Sequence, residues 1–124
     1  EQAPADGALH HAYGLWLIRA QRTDEALDEL KLGFELTPSD PRLGYVYGVA
    51  LNSTGEPEGA IEVWQAVLAR RTYHRDTLYA LALALRDQGR NDEALAYAQR
   101  LASLVPGDAA VSDLVNQLTQ AVAG

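Results

Sequence analysis

The chain has 124 residues, 48 % of them hydrophobic, and 17 acidic against 10 basic side chains give a formal net charge of −7. That length suits a single domain that buries about two-thirds of the surface its unfolded chain would expose. The acidic balance argues against nucleic acid or an anionic membrane as partner, because both are held by clustered Lys and Arg. With no cysteine, disulfides, thiolate zinc sites and haem attachment are excluded within these residues.

Residues 1–6, Glu-Gln-Ala-Pro-Ala-Asp, read as a tail or the end of a linker, and the remainder, 7–124, reads as one domain. A first helix is expected over 7–20, with Leu9, Tyr13, Trp16 and Ala20 in an apolar stripe at helical spacing. A second is expected over 24–36, capped by Thr23 and opened by Asp24 and Glu25, which suit the positive end of a helix dipole. Asp40-Pro41 starts a third over 41–53, and Pro57 a fourth over 57–70, since proline in a first turn loses no hydrogen bond. Gly55 and Gly89 are placed to end helices in a left-handed conformation. A fifth helix is expected over 75–87, a sixth over 92–104 behind Asn91 as cap, and a seventh over 109–122 behind Asp108. The seventh is amphipathic: Val111, Leu114, Val115, Leu118 and Val122 oppose Ser112, Asp113, Asn116, Gln117, Thr119 and Gln120. The longest apolar run, Tyr79 to Leu85, falls far short of the ~20 residues that span a bilayer, so direct membrane insertion is not expected.

These elements repeat with a period of 34 residues. Tyr13-Gly14-x-x-Leu17 returns as Tyr47-Gly48-x-x-Leu51 and as Leu81-Ala82-x-x-Leu85, followed by Ala26, Ala60 and Ala94. Two copies close on proline, Pro38 and Pro106, where the middle copy has Thr72. A period of this length means one supersecondary unit stacked on itself, here 7–40, 41–74 and 75–108 with a closing helix at 109–122. The small residues at Gly14, Gly48 and Ala82, and at Ala26, Ala60 and Ala94, are expected to let paired helix backbones approach, with Leu30 and Trp64 filling around them. Ala98 stands at the third such position, where looser packing or filling by the closing helix is expected.

In these motifs the chain resembles the tetratricopeptide repeat family over about residues 7–108. The resemblance implies an all-α, right-handed superhelix of three helical hairpins plus a capping helix. It also implies a concave groove lined by set positions of each first helix. Carried onto this sequence, those positions include His11 and Leu15, then Arg42, Tyr45, Val49 and Asn52, then Tyr79, Leu83 and Arg86. The implied surface is apolar and aromatic at its centre, suited to an extended or helical peptide. One subfamily grips C-terminal carboxylates with Lys and Asn at particular positions. This chain has His11, Leu15, Val46, Asp76 and Ala80 there, with no lysine, so that activity is not expected.

Chemistry has little to stand on. His10 and His11 are adjacent, so their side chains diverge by about 100° on a helix and cannot chelate together. His10 reads as a hairpin filler and His74 as part of a loop or cap. Neither a metal site nor a cofactor is expected, and no nucleophile elbow or phosphate loop is present. Arg70, Arg71, His74 and Arg75 form the only basic cluster, read first as closing a helix end.

Two functions follow from this reading. The first is a non-catalytic scaffold that binds a protein or peptide segment in the groove. The alternative is an assembly or oligomerisation module at the C-terminal end of a larger bacterial protein. In that case the apolar end face of Leu9, Tyr13 and Trp16 would meet an upstream segment or a second copy. The wording of repeats two and three is similar to repeat segments of exported multihaem cytochrome chains, which would place the protein in the periplasm rather than the cytoplasm. The start at Glu1 and the lack of methionine suggest a processed or excised chain, and one lysine against nine arginines suggests a GC-rich bacterial genome.

Overall fold

The structure is a computed structural model, and it describes residues 3–124. Among these residues there are seven helices and no strand: α1 (Ala3–Arg19), α2 (Thr23–Leu36), α3 (Pro41–Ser53), α4 (Pro57–Arg70), α5 (Arg75–Asp87), α6 (Asn91–Leu104) and α7 (Ala109–Ala123). Three of the expected spans, those of α3, α4 and α5, match residue for residue. The first helix starts earlier than expected: residues 3–6, read as tail, are helical, while Glu1 and Gln2 lie outside the described residues.

Packing divides the chain into two compact units, Glu1–Arg70 and Arg71–Gly124. In the first, α1 pairs with α2, α2 with α3, and α3 with α4; in the second, α5 pairs with α6 and α6 with α7. Connections of three or four residues leave consecutive helices little choice but to lie side by side.

The turns explain the period. Glu56 N bonds Leu51 O at 2.9 Å, and Arg90 N bonds Leu85 O at the same distance. Both turns pass through a left-handed glycine, Gly55 (φ 87°) and Gly89 (φ 77°), as the sequence implies. The first repeat makes the same turn, Arg22 N to Leu17 O at 2.9 Å, through Gln21 at φ 62°. A side chain is strained there because its Cβ crowds the following carbonyl.

Cap chemistry is partly different from expectation. Asp40 and Asp108 do cap, accepting from Arg42 N and Val111 N at 3.0 Å each. Thr23 and Asn91 do not: they are the first helical residues, and Arg22 and Arg90 precede them with no side-chain cap bond. A donor-only guanidinium cannot accept from a backbone N–H. Each arginine pairs instead with the acidic residue three places on, Arg22 with Glu25 and Arg90 with Glu93 (Nε–Oε1 2.7 Å). The pairing holds the Glu93 carboxyl below its ordinary pKa. The middle repeat has Glu56 and Gly59 at these places and lacks the pair.

The role assigned to the small residues holds only in part. A Cβ on Gly48 would lie 2.2 Å from Trp64 Nε1, and one on Gly14 would lie 2.8 Å from Leu30 Cγ. These glycines make room for the large side chain of the facing helix. The Trp64 indole fills the space and donates to Tyr45 O at 3.1 Å. Ala82 and Ala98 occupy the corresponding places in the third repeat, and both are fully buried. Backbones approach most closely at Gly33, where an added Cβ would stand 2.9 Å from Gly7 O and 3.2 Å from His11 N. They also approach at Gly14, whose added Cβ would stand 3.3 Å from Ala26 O, as expected of that pair.

Candidate functional site

In the first unit, α3 presents Tyr45 half-buried and Val49, Arg42 and Asn52 exposed, while α1 presents Leu15 half-buried. These side chains are at least partly accessible to solvent. His11 is the exception. It is only 5 % exposed, and neither ring nitrogen finds a hydrogen-bond partner among the described residues. Burial, reinforced by the Arg42 charge and weakly opposed by Asp40, holds its pKa below the ordinary value. A buried ring cannot line a groove, so His11 belongs to the α1–α2 packing.

In the second unit, Tyr79 is exposed on α5, with Leu83 and Arg86 half-buried. Arg86 is not free to meet a ligand from every side: its Nη1 donates to Gln117 Oε1 of α7 at 3.3 Å, and its Nη2 lies 3.3 Å from Asp87 Oδ1. Tyr79 lines a cavity of about 310 Å³, together with Arg75 and Asp76 of α5, Leu101 of α6, Val105 and Asp108 of the following turn, and Ala110 and Val111 of α7. A lining that mixes apolar side chains with one guanidinium and two carboxylates, of which Asp108 already accepts from Val111 N, suits an aliphatic or aromatic side chain that carries a polar end. Of the residues around this depression, Tyr79 is one of the groove positions implied by the family resemblance, whereas Leu101, Val105, Ala110 and Val111 are not. The α6–α7 turn that brings them in follows from the Pro106-Gly107-Asp108 stop and cap, a signal that was in the sequence.

The other two histidines have structural partners. His10 Nδ1 meets Glu29 Oε1 at 2.5 Å across the α1–α2 hairpin, as a filler would. His74 precedes α5 and its Nδ1 lies 2.7 Å from Thr77 Oγ1. Among the described residues no three His, Cys, Asp or Glu side chains gather to hold a metal ion, and no helix is long and apolar enough to cross a membrane.

The apolar stripe on α1 stands open. Leu9 is 67 % exposed, Tyr13 47 % and Trp16 50 %, and the Tyr13 and Trp16 rings stack with centroids 6.0 Å apart.

Comparison with known proteins agrees with this architecture. Among curated proteins none matches. Solved structures do. The first repeat domain of Spaghetti (RPAP3), solved with the HSP90 peptide SRMEEVD, superposes with a TM-score of 0.81 at 18 % identity, over 97 % of this chain and 98 % of that one. MamA from Desulfovibrio magneticus RS-1, solved from residue 41 to its end, gives 0.82 at 24 % identity over 94 % of this chain and 66 % of that one. The Yersinia enterocolitica secretion chaperone SycD, solved with a peptide of the translocator YopD, gives 0.78 at 13 % identity over 91 % and 92 % of the two chains. At such identities the likeness establishes the fold, a helical-repeat solenoid. The sequence model of the tetratricopeptide repeat matches residues 45–109, more than half of the chain, and the chain belongs to the tetratricopeptide repeat family.

Proposed function

We propose that this protein is a non-catalytic interaction scaffold that binds a peptide or protein segment on its first-helix faces. The observation that carries the reading is the open depression beside Tyr79 on the second unit, lined by both apolar and charged side chains together with this exposed aromatic ring. An aromatic anchor in a pocket is the feature that concentrates binding energy at protein interfaces. Val49, Tyr45 and Asn52 on α3 offer a further apolar and amide surface on the first unit. Two of the structural neighbours, the Spaghetti domain and SycD, were solved with peptides bound, which supports the same class of partner. Affinity is expected to be modest, because ordering a flexible peptide offsets much of the contact energy.

The test is selection of binders from a displayed random-peptide library, followed by titration of the selected peptides against the native chain, Tyr79→Ala and Tyr45→Ala. A loss of about tenfold or more for Tyr79→Ala, roughly 1.4 kcal/mol, is the expected result. Peptides that bind both variants as tightly as the native chain would remove the first-helix faces from the proposal. A second reading, assembly through the N-terminal face, rests on the exposure of Leu9, Tyr13 and Trp16.

A further inference from the structure

We infer that the face formed by Leu9, Tyr13 and Trp16 is the seat of one more second helix, belonging to a repeat that enters through Ala3-Pro4-Ala5-Asp6. Two independent observations carry this. The first is burial at equivalent repeat positions. Where the first repeat has Leu9, Tyr13 and Trp16, the second has Leu43, Tyr47 and Ala50. Leu43 and Ala50 are buried and Tyr47 is half-buried, because α2 lies against α3, with the Phe34 ring centroid 6.4 Å from that of Tyr47. In the third repeat the same positions, Thr77, Leu81 and Ala84, are buried as well. Only in the first repeat does this stripe of large apolar side chains meet solvent.

The second observation is in the register. Ala3-Pro4-Ala5-Asp6 stands one period of 34 residues before Thr37-Pro38-Ser39-Asp40 and three periods before Val105-Pro106-Gly107-Asp108. All three carry proline and aspartate at the same two places. In the two later copies the segment ends a second helix, and its aspartate caps the first helix of the next repeat. In this structure residues 3–6 continue α1 instead of forming that turn, so the correspondence lies in the sequence alone. By it they match the close of a repeat, and the helix such a segment closes is the one that would cover the α1 stripe. A second copy of this chain fits less well. Stacked head to tail it would offer the outer face of α7, where Ser112, Asp113, Asn116, Gln117, Thr119 and Gln120 are all exposed and give an apolar stripe nothing to bury against.

The 34-residue period allows a direct test. A copy of Thr23–Leu36 placed immediately ahead of Ala3 continues the register, with Phe34→Leu in the copy because the facing residue is His10 where α3 has Gly44. The control graft carries Leu27→Asp and Phe34→Asp in the copy. Trp16 is the reporter, Trp64 the buried internal standard, and Trp16→Phe assigns their separate emission. The expected result is that the first graft lowers acrylamide quenching of Trp16 several-fold, to the level of Trp64, in a monomer, while the control leaves it unchanged. Equal quenching of Trp16 in both grafts would overturn the inference, as would loss of Trp64 protection in the first graft. Concentration-dependent protection of Trp16 in the unmodified chain would also overturn it, in favour of a second copy. None of these outcomes depends on whether the Tyr79 cavity binds peptide.

Discussion

The first repeat and the two later ones share a register and differ at the positions that matter most for solvent. Position by position, exposed Trp16 stands where Ala50 and Ala84 are buried, buried His11 where Tyr45 and Tyr79 reach outward, and strained Gln21 where Gly55 and Gly89 turn freely. The period dictates backbone geometry in all three copies, and the side chains then report what each copy faces. The first repeat thus carries large apolar side chains in water at its stacking positions and a buried imidazole at its outward one, the reverse of what repeats two and three show at the same places.

The two tryptophans break the comparison most forcefully. Trp64→Ala is expected to cost about 3–5 kcal/mol, since it empties a fully packed site and removes the donor to Tyr45 O. Trp16→Ala is expected to change stability by no more than about 0.5 kcal/mol, as surface positions do. Urea denaturation of both variants checks the pair, and similar losses would mean that Trp16 is already covered.

His11 sharpens the same contrast through pH. Its folded pKa lies below the unfolded value of 6.5, so below that pH the unfolded chain takes up the proton more readily than the folded one. The stability associated with a neutral His11 is therefore whole above about pH 6.5 and is lost as pH falls through the window beneath it. Denaturation midpoints measured from pH 7.5 to 5 should fall more steeply for the native chain than for His11→Gln. Parallel curves would show that His11 keeps its ordinary pKa. The smallest effect is at the turn: Gln21→Gly should stabilise by about 1 kcal/mol or less, the relief of a left-handed side chain offset in part by glycine's freedom in the unfolded state. Thermal melting would show this as a slightly higher midpoint.

Most of the architecture was legible because it is written in periodic, local signals. Proline at a first turn, glycine after a last one and aspartate ahead of α3 and α7 act within a few residues, and they placed α3, α4 and α5 residue for residue. Thr23 and Asn91 misled because they have capping chemistry but lie one residue inside their helices; the preceding arginines, held by Glu25 and Glu93, take the boundary position instead. His11 was read as a groove residue by its repeat position alone. What buries it is a tertiary fact: Gly33 stands where the other repeats have buried Val67 and Leu101, and its missing side chain lets the α2 backbone close onto Gly7 and His11. The cavity at Tyr79 was half visible, through α5, and its other wall comes from a turn whose residues gain meaning only once α7 folds back on α6.

The outer face of α7 carries a consequence for how such a protein could lengthen. Amides and hydroxyls directed at water leave a further hairpin no grease to grip, so a duplicated unit appended beyond Gly124 would find no stable berth. An added hairpin would bury more apolar surface at the opposite end, against Leu9, Tyr13 and Trp16.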